Sequence, residues 1–189
     1  MTKMGILVEG LRELLSPHYT PPNGQGGHDI GHVSRMEAMC SEIAELVPDF
    51  DATEYGIAVW LHNIDRCPSF TQAISKKGLN CVISSFLVKD SVATETRERI
   101  VDAVPKHGKK EDEPGDSPLL QALRLADKWD RIGVIGATSG FAWKGSVMPA
   151  YDPDSPFGFG STTEGHGGWS TIYQNFYRCL HPAQQQGRR

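Results

Sequence analysis

The stretch DATEYGIAVWLHN, residues 51–63, decides the fold. Asp51 is a good helix N-cap residue, and Glu54, three residues on, gives a start resembling a capping box. Ile57, Ala58, Val59, Trp60 and Leu61 then follow without a polar position between them. A helix that is apolar all round has no face for water and must be enclosed by other elements. A central, buried helix is therefore expected here, and His62 at its end is expected to point into the interior.

Outward from this helix the periodicity stays helical. Ile6, Leu7, Leu11, Leu14 and Leu15 form one stripe, expected to end at Ser16-Pro17. TPPNGQGG reads as a loop. Val33, Met36, Cys40, Ile43, Ala44 and Val47 predict one long amphipathic helix from His28 to Val47, stopping before Pro48. Further helices are expected over Leu79 to Val88 and Thr94 to His107. Another should open at Ser117-Pro118, an N-cap and first-turn pair, and run through Leu119, Leu120, Leu123 and Ala126. From about Gly140 to Gly168 the chain turns to Gly, Pro, Ser and aromatics without a helical period, which predicts a long loop serving a function. A last helix is expected over Trp169 to Leu180, with Ile172, Phe176 and Leu180 on one face. No internal repeat is visible. The simplest architecture is one all-α domain over 1–189, a helical bundle with its core at about 26–180 and a Gly- and aromatic-rich loop before its last helix.

The 189 residues are enough to bury a real core. A formal charge of −4 gives no electrostatic reason to expect nucleic acid, so a polyanionic substrate would need a local cation. The four cysteines, Cys40, Cys67, Cys81 and Cys179, contain no C-x-x-C pair, which argues against a zinc knuckle and, without a secretory signal, against a disulfide framework. MTKMGILVEGLRELL is too short and too charged for a signal peptide or a membrane span. A cytoplasmic location is expected, with neither membrane nor nucleic acid as partner.

Several polar residues lie on faces that should be apolar. Asp127 follows Leu120 and Leu123 on their own helix face, His107 follows Ile100 and Val104, and His28 and His32 are a helical turn apart with Asp29 between them. A carboxylate on an apolar face is costly unless a cation or several donors compensate it. A single interior histidine is commonly a hydrogen-bonded core residue, and Asp127 alone would pair with Arg124 or Arg131. Histidines and a buried aspartate drawn from separate helices together point to a metal. Imidazole with carboxylate suits Mn, Fe, Co, Ni or Zn, and Mg less well.

Three segments carry a family resemblance. HDIGHVSRM (28–36) resembles the opening H-D-x-x-H-x-x-R-V of small single-domain HD-domain phosphohydrolases, AVWLHNIDR (58–66) their A-x-L-L-H-D-I, and LRLADKWDRIG (123–133) their A-D-x-x-D-x-x-G. The aromatic loop and the closing FYRCL also match, so the resemblance spans about Gly26 to Leu180. It implies an all-α fold holding one divalent metal ion, with His32, His62, Asn63 and Asp127 at the ligand positions. It further implies hydrolysis of a phosphoester or phosphoanhydride bond in a small, nucleotide-like phosphorylated substrate. Asp29 and His107 fall where residues aiding the chemistry would be expected, and Arg35, Lys128 and Asp130 where substrate would be contacted; Asp65 and Lys144 join these two sets as replacements for groups the pattern lacks. Lys128 also fits a solvated face or a helix salt bridge.

The chain departs from the family pattern at three places. Asn63 stands where the family has an aspartate, and a charge about 4 Å from a metal is worth on the order of 4 kcal/mol at an intermediate dielectric. Ser139 and Cys179 stand where basic residues are common, with Lys144 or Arg178 as substitutes. Asp65 would restore the missing charge if the helix continues past His62, or else pairs with Arg66. Trp143, Tyr151 or Phe157 would stack on a base or pin the loop. Two functions follow: an active hydrolase, of reduced activity, or a degenerate HD module that binds a small ligand or partner protein without catalysis.

Overall fold

The computed structural model describes residues 3–20, 23, 27–89, 92–108, 113–136 and 138–139. Among these the protein is all-α, with no strand. In chain order the helices are α1 (Lys3–Tyr19), α2 (Ile30–Ala38), α3 (Cys40–Leu46), α4 (Ala52–Leu61), a 3-10 turn (Ile64–Arg66), α5 (Pro68–Lys77), α6 (Leu79–Lys89), α7 (Thr94–Lys106) and α8 (Pro118–Asp130). The chain divides into two compact units, Met1–Ala126 and Asp127–Arg189, and the division falls inside the unbroken helix α8. Among the described residues no helix is long and apolar enough to cross a membrane. The loop expected at 140–168, with Trp143, Lys144, Tyr151 and Phe157, and the helix expected at 169–180, with Arg178 and Cys179, lie outside the described residues.

In the first unit α4 is the central element. Every residue from Glu54 to Leu61 is buried, and the helix packs against α1, α2, α3 and α7. Asp51 caps it, its carboxylate accepting from the backbone N–H groups of Thr53 and Glu54 at 2.8 Å each. Glu54 does not complete the box. It turns inward, accepts from the Thr96 hydroxyl at 2.9 Å and pairs with the Arg99 guanidinium. A buried carboxylate needs such donors, and α7 supplies both.

The predicted boundaries move in two places, each time because a distant side chain intervenes. The first helix does not stop at Ser16-Pro17; α1 runs through Pro17 to Tyr19. Proline at this point forfeits one hydrogen bond, but Tyr19 is fully buried and its hydroxyl donates to the Trp60 carbonyl at 2.9 Å. That tertiary anchor holds the last turn. The helix expected from His28 to Val47 is two helices, α2 and α3, parted at Met39 (φ −76°, ψ 2°). An unbroken helix would use the Met36 carbonyl for the N–H of Cys40. Here that carbonyl accepts the Tyr55 hydroxyl of α4 at 2.6 Å. The central helix also does not continue: α4 ends at Leu61, and a 3-10 turn follows.

Helix α5 was not anticipated, although its signals are present. Pro68 opens it, Lys76 and Lys77 lie in its last turn, and Gly78 closes it at φ 83°. Cys40, Cys67 and Cys81 are free thiols.

Candidate metal centre

The end of α4 builds the site. His62 caps this helix at its C-terminus in a right-handed helical conformation (φ −65°, ψ −27°). Its ring folds back so that Nδ1–H donates to the Val59 carbonyl at 2.6 Å. That bond fixes the tautomer: the proton is on Nδ1, and Nε2 carries a lone pair. The ring is 1% exposed. Val59, contributing only its carbonyl, is a participant that side-chain reasoning passed over; its signal is its place three residues before a histidine at a helix end.

His32 comes from α2. Asp29 caps that helix, its carboxylate accepting from the backbone N–H of His32 at 3.1 Å. The cap sets where α2 begins and so directs the His32 ring, also 1% exposed, at His62. The two Nε2 atoms are 3.0 Å apart. That is the length of an N–H···N hydrogen bond, and with the His62 proton on Nδ1 the donor is His32 Nε2–H.

Asp127 is the first residue past Ala126 on α8, so the helix itself carries it along from the buried Leu123 and Ala126. His32, His62 and Asp127 form a buried group in which one ligand atom of each lies within 4.8 Å of the others, and this group could hold a metal ion. The donor set agrees: two neutral nitrogens and one anion suit a divalent transition ion. Asp127 also meets Arg131, whose guanidinium reaches its carboxylate at 2.7 Å, so the helix salt bridge read as the alternative is present beside the histidines. Arg124 is itself buried, pairs with Asp116, and donates to the Lys106 carbonyl at 3.2 Å.

Asn63 presents nitrogen, not oxygen. Its Nδ2–H donates to His62 Nε2 at 2.7 Å, the only sense compatible with the tautomer that Val59 imposes. Asp65, by contrast, is not brought to the cluster. The helix that would have carried it under His62 ends at Leu61, and the 3-10 turn leaves Asp65 exposed, 3.5 Å from the Arg66 guanidinium.

The remaining residues form a histidine-rich surround. His28 stacks edge-on against His32 with ring centres 5.8 Å apart, and His107 against His62 at 5.1 Å. His107 repeats the His62 construction at the end of α7, donating Nδ1–H to the Val104 carbonyl at 2.5 Å. Its ring is half-buried. Arg35 reaches back over Gly31, where an added Cβ would meet Arg35 Nη1 at 3.0 Å and Asp29 Oδ1 at 3.2 Å, so these two side chains converge above α2. Asp130 is buried and Lys128 half-buried on the last turn of α8.

No protein-family model matches the chain, and no curated protein does. Among solved structures it is similar to a Lactobacillus plantarum protein whose crystal structure was determined as a Northeast Structural Genomics target. The match has a TM-score of 0.67 at 13% identity and covers 95% of this chain and 83% of that one. At that identity the likeness extends to the fold alone.

Proposed function

We propose that the protein is an HD-type metal-dependent hydrolase of a phosphoester or phosphoanhydride bond in a small, nucleotide-like molecule. The observation that carries the reading is the 3.0 Å approach of His32 Nε2 to His62 Nε2 inside a buried group with Asp127. That contact has the length of an N–H···N hydrogen bond, and what favours an ion is that two buried imidazole nitrogens and a carboxylate converge on one small volume. His32, His62 and Asp127 are the residues that would hold the ion. When bound, such an ion polarises a phosphate oxygen and lowers the pKa of a water molecule. The chain's own residues do the rest. Val59 keeps the His62 lone pair facing the site, and Asp29 sets the start of the helix that carries His32. His107, with its proton held on Nδ1 by Val104, offers an Nε2 acceptor from a half-buried position to a proton or donor on an arriving substrate.

A second reading, a degenerate module that binds without catalysis, is favoured by two contacts. Asn63 donates to the nitrogen an ion would use, and Arg131 pairs with the one anionic member of the group. Metal analysis of protein purified without chelator, followed by a phosphatase and pyrophosphatase panel in Mn, Co, Ni and Mg, separates the two. The hydrolase reading expects metal-dependent turnover that His32→Ala eliminates. Bound metal with no turnover on any substrate class would favour the binding module, and absence of metal binding would sink both metal readings.

A further inference from the structure

Asn63 holds the clearest unexplained position in the first unit. It is 2% exposed, it directly follows His62, and its amide nitrogen sits 2.7 Å from the one lone pair of that ring. We propose that Asn63 is a hydrogen-bonding cap that competes with the cation for His62 Nε2, making the metal of this protein exchangeable rather than permanent. The inference rests on the metal-site reading and concerns only how that site loads.

An imidazole nitrogen has a single in-plane lone pair. His62 cannot present Nδ1 instead, because that atom is committed to the Val59 carbonyl. Asn63 at 2.7 Å and His32 Nε2 at 3.0 Å both approach this nitrogen, so a cation reaching it must displace the shorter Asn63 N–H contact as well as the one to His32. An aspartate at the same place would have no proton to give and would add a negative charge. Asparagine thus changes two things together: the charge that attracts the ion is gone, and a donor stands in its way. Turning the amide over would bring Oδ1 toward the ion, but only after the N–H bond has been given up, and a neutral oxygen beside two imidazoles adds little for a transition ion. The Asn63 backbone is held, its carbonyl accepting from Arg66 N–H at 2.9 Å and from the Cys67 thiol at 3.7 Å, so the amide leaves Nε2 by turning about its own side-chain bonds.

The test is calorimetric titration of the full-length chain with Co(II), comparing wild type, Asn63→Ala and Asn63→Asp, with His32→Ala as the site control. A net hydrogen bond of ordinary strength corresponds to about two- to tenfold in affinity. Asn63→Ala is expected to bind Co(II) that much more tightly than wild type, and Asn63→Asp more tightly still. If Asn63→Ala binds more weakly than wild type, or equally, the amide is a ligand or a bystander and the cap is overturned. If none of the proteins binds at millimolar Co(II), Asn63→Asp included, the metal reading itself has failed and the cap falls with it. A second measurement needs no variant. In wild type the Asn63 side-chain amide should give one proton resonance shifted by its hydrogen bond to His62, and that shift should disappear on saturation with Zn(II). Its persistence at saturation would likewise overturn the proposal.

Discussion

Helices α4 and α7 lie side by side and end in the same way, yet their ends are buried to different depths. Glu54 near the start of α4 meets Thr96 and Arg99 near the start of α7. His62 at the end of α4 meets His107 at the end of α7. The pair is therefore parallel and in register: Glu54 to His62 and Arg99 to His107 are the same eight residues. Each histidine folds its Nδ1–H onto the carbonyl three residues back and presents Nε2. What differs is the helix beneath. Helix α4 is enclosed on all sides, so His62 is sealed at 1% exposure. Helix α7 keeps Pro105, Lys106 and other positions in solvent, so His107 is only half-buried. One local device thus yields a sealed nitrogen on the enclosed helix and a half-exposed one on its neighbour.

The strongest way to break this comparison is to remove each ring in turn. His62→Ala should reduce Mn or Co binding by more than about a hundredfold, since it deletes one of few ligands and leaves Asn63 with nothing to cap. His107→Ala should leave metal binding within about threefold while lowering any metal-dependent hydrolysis by about tenfold or more. Equal losses of metal binding in the two variants would show that the rings are equivalent and that burial does not divide their roles. Calorimetry and a turnover assay on the same preparations give both numbers.

A smaller effect is expected from the other end of the pair. Glu54→Ala removes the buried acceptor shared by Thr96 and Arg99. A fully buried pair broken in this way costs several kcal/mol, but the Arg99 side chain is 48% exposed and regains water, so about 2 kcal/mol is expected. Urea unfolding measures it. A change under about 0.5 kcal/mol would mean that the register is set by apolar packing alone.

Where the sequence could be read, and where it misled, follows from the range of the interaction involved. Helix α4 was legible because an unbroken apolar run leaves no alternative to enclosure. His32, His62 and Asp127 stood out because each is a polar residue on an apolar face, and such a residue needs a partner. The break between α2 and α3 was not legible, because it depends on the hydroxyl of Tyr55, nineteen residues beyond Met36, taking a carbonyl from the helix ladder. The passage of α1 through Pro17 depends in the same way on Tyr19 reaching Trp60. Asp65 was placed by extending a helix past His62, and only the 3-10 turn, with Arg66 bonding back to Asn63, shows that the extension fails. That Arg131 pairs with Asp127 was equally open in the sequence, Arg124 and Arg131 both lying near it on one helix. Arg124 pairs with Asp116 on the segment before α8 and donates to the end of α7.

The smallest effect sharpens the comparison at the turn that follows α4. The Cys67 thiol donates to the Asn63 carbonyl at 3.7 Å, and its backbone N–H to Ile64 at 3.2 Å, so this cysteine fastens the turn that carries Asn63. Burial pushes the thiol from its ordinary value near 9 up to about 11, with the nearby Asp65 charge acting in the same direction and Tyr19 in the opposite one. A thiol reacts as its thiolate, so Cys67 should resist iodoacetamide at pH 8 in the folded protein while the exposed Cys81 is modified. The sign of the pH effect follows from proton uptake. Between about pH 9 and 11 the unfolded chain has released the Cys67 proton and the folded chain still holds it, so stability conferred below pH 9 declines as pH rises toward 11. Cys67→Ala should remove that component of the decline and cost about 1 kcal/mol at neutral pH, with the α4 and α7 pairing intact. Mass spectrometry of alkylated peptides checks the first expectation and urea unfolding from pH 7 to 11 the second. Rapid modification of Cys67 at pH 8, under conditions where the protein stays folded, would show that the turn beyond His62 opens readily and that the enclosed end of α4 is no more sealed than the end of α7.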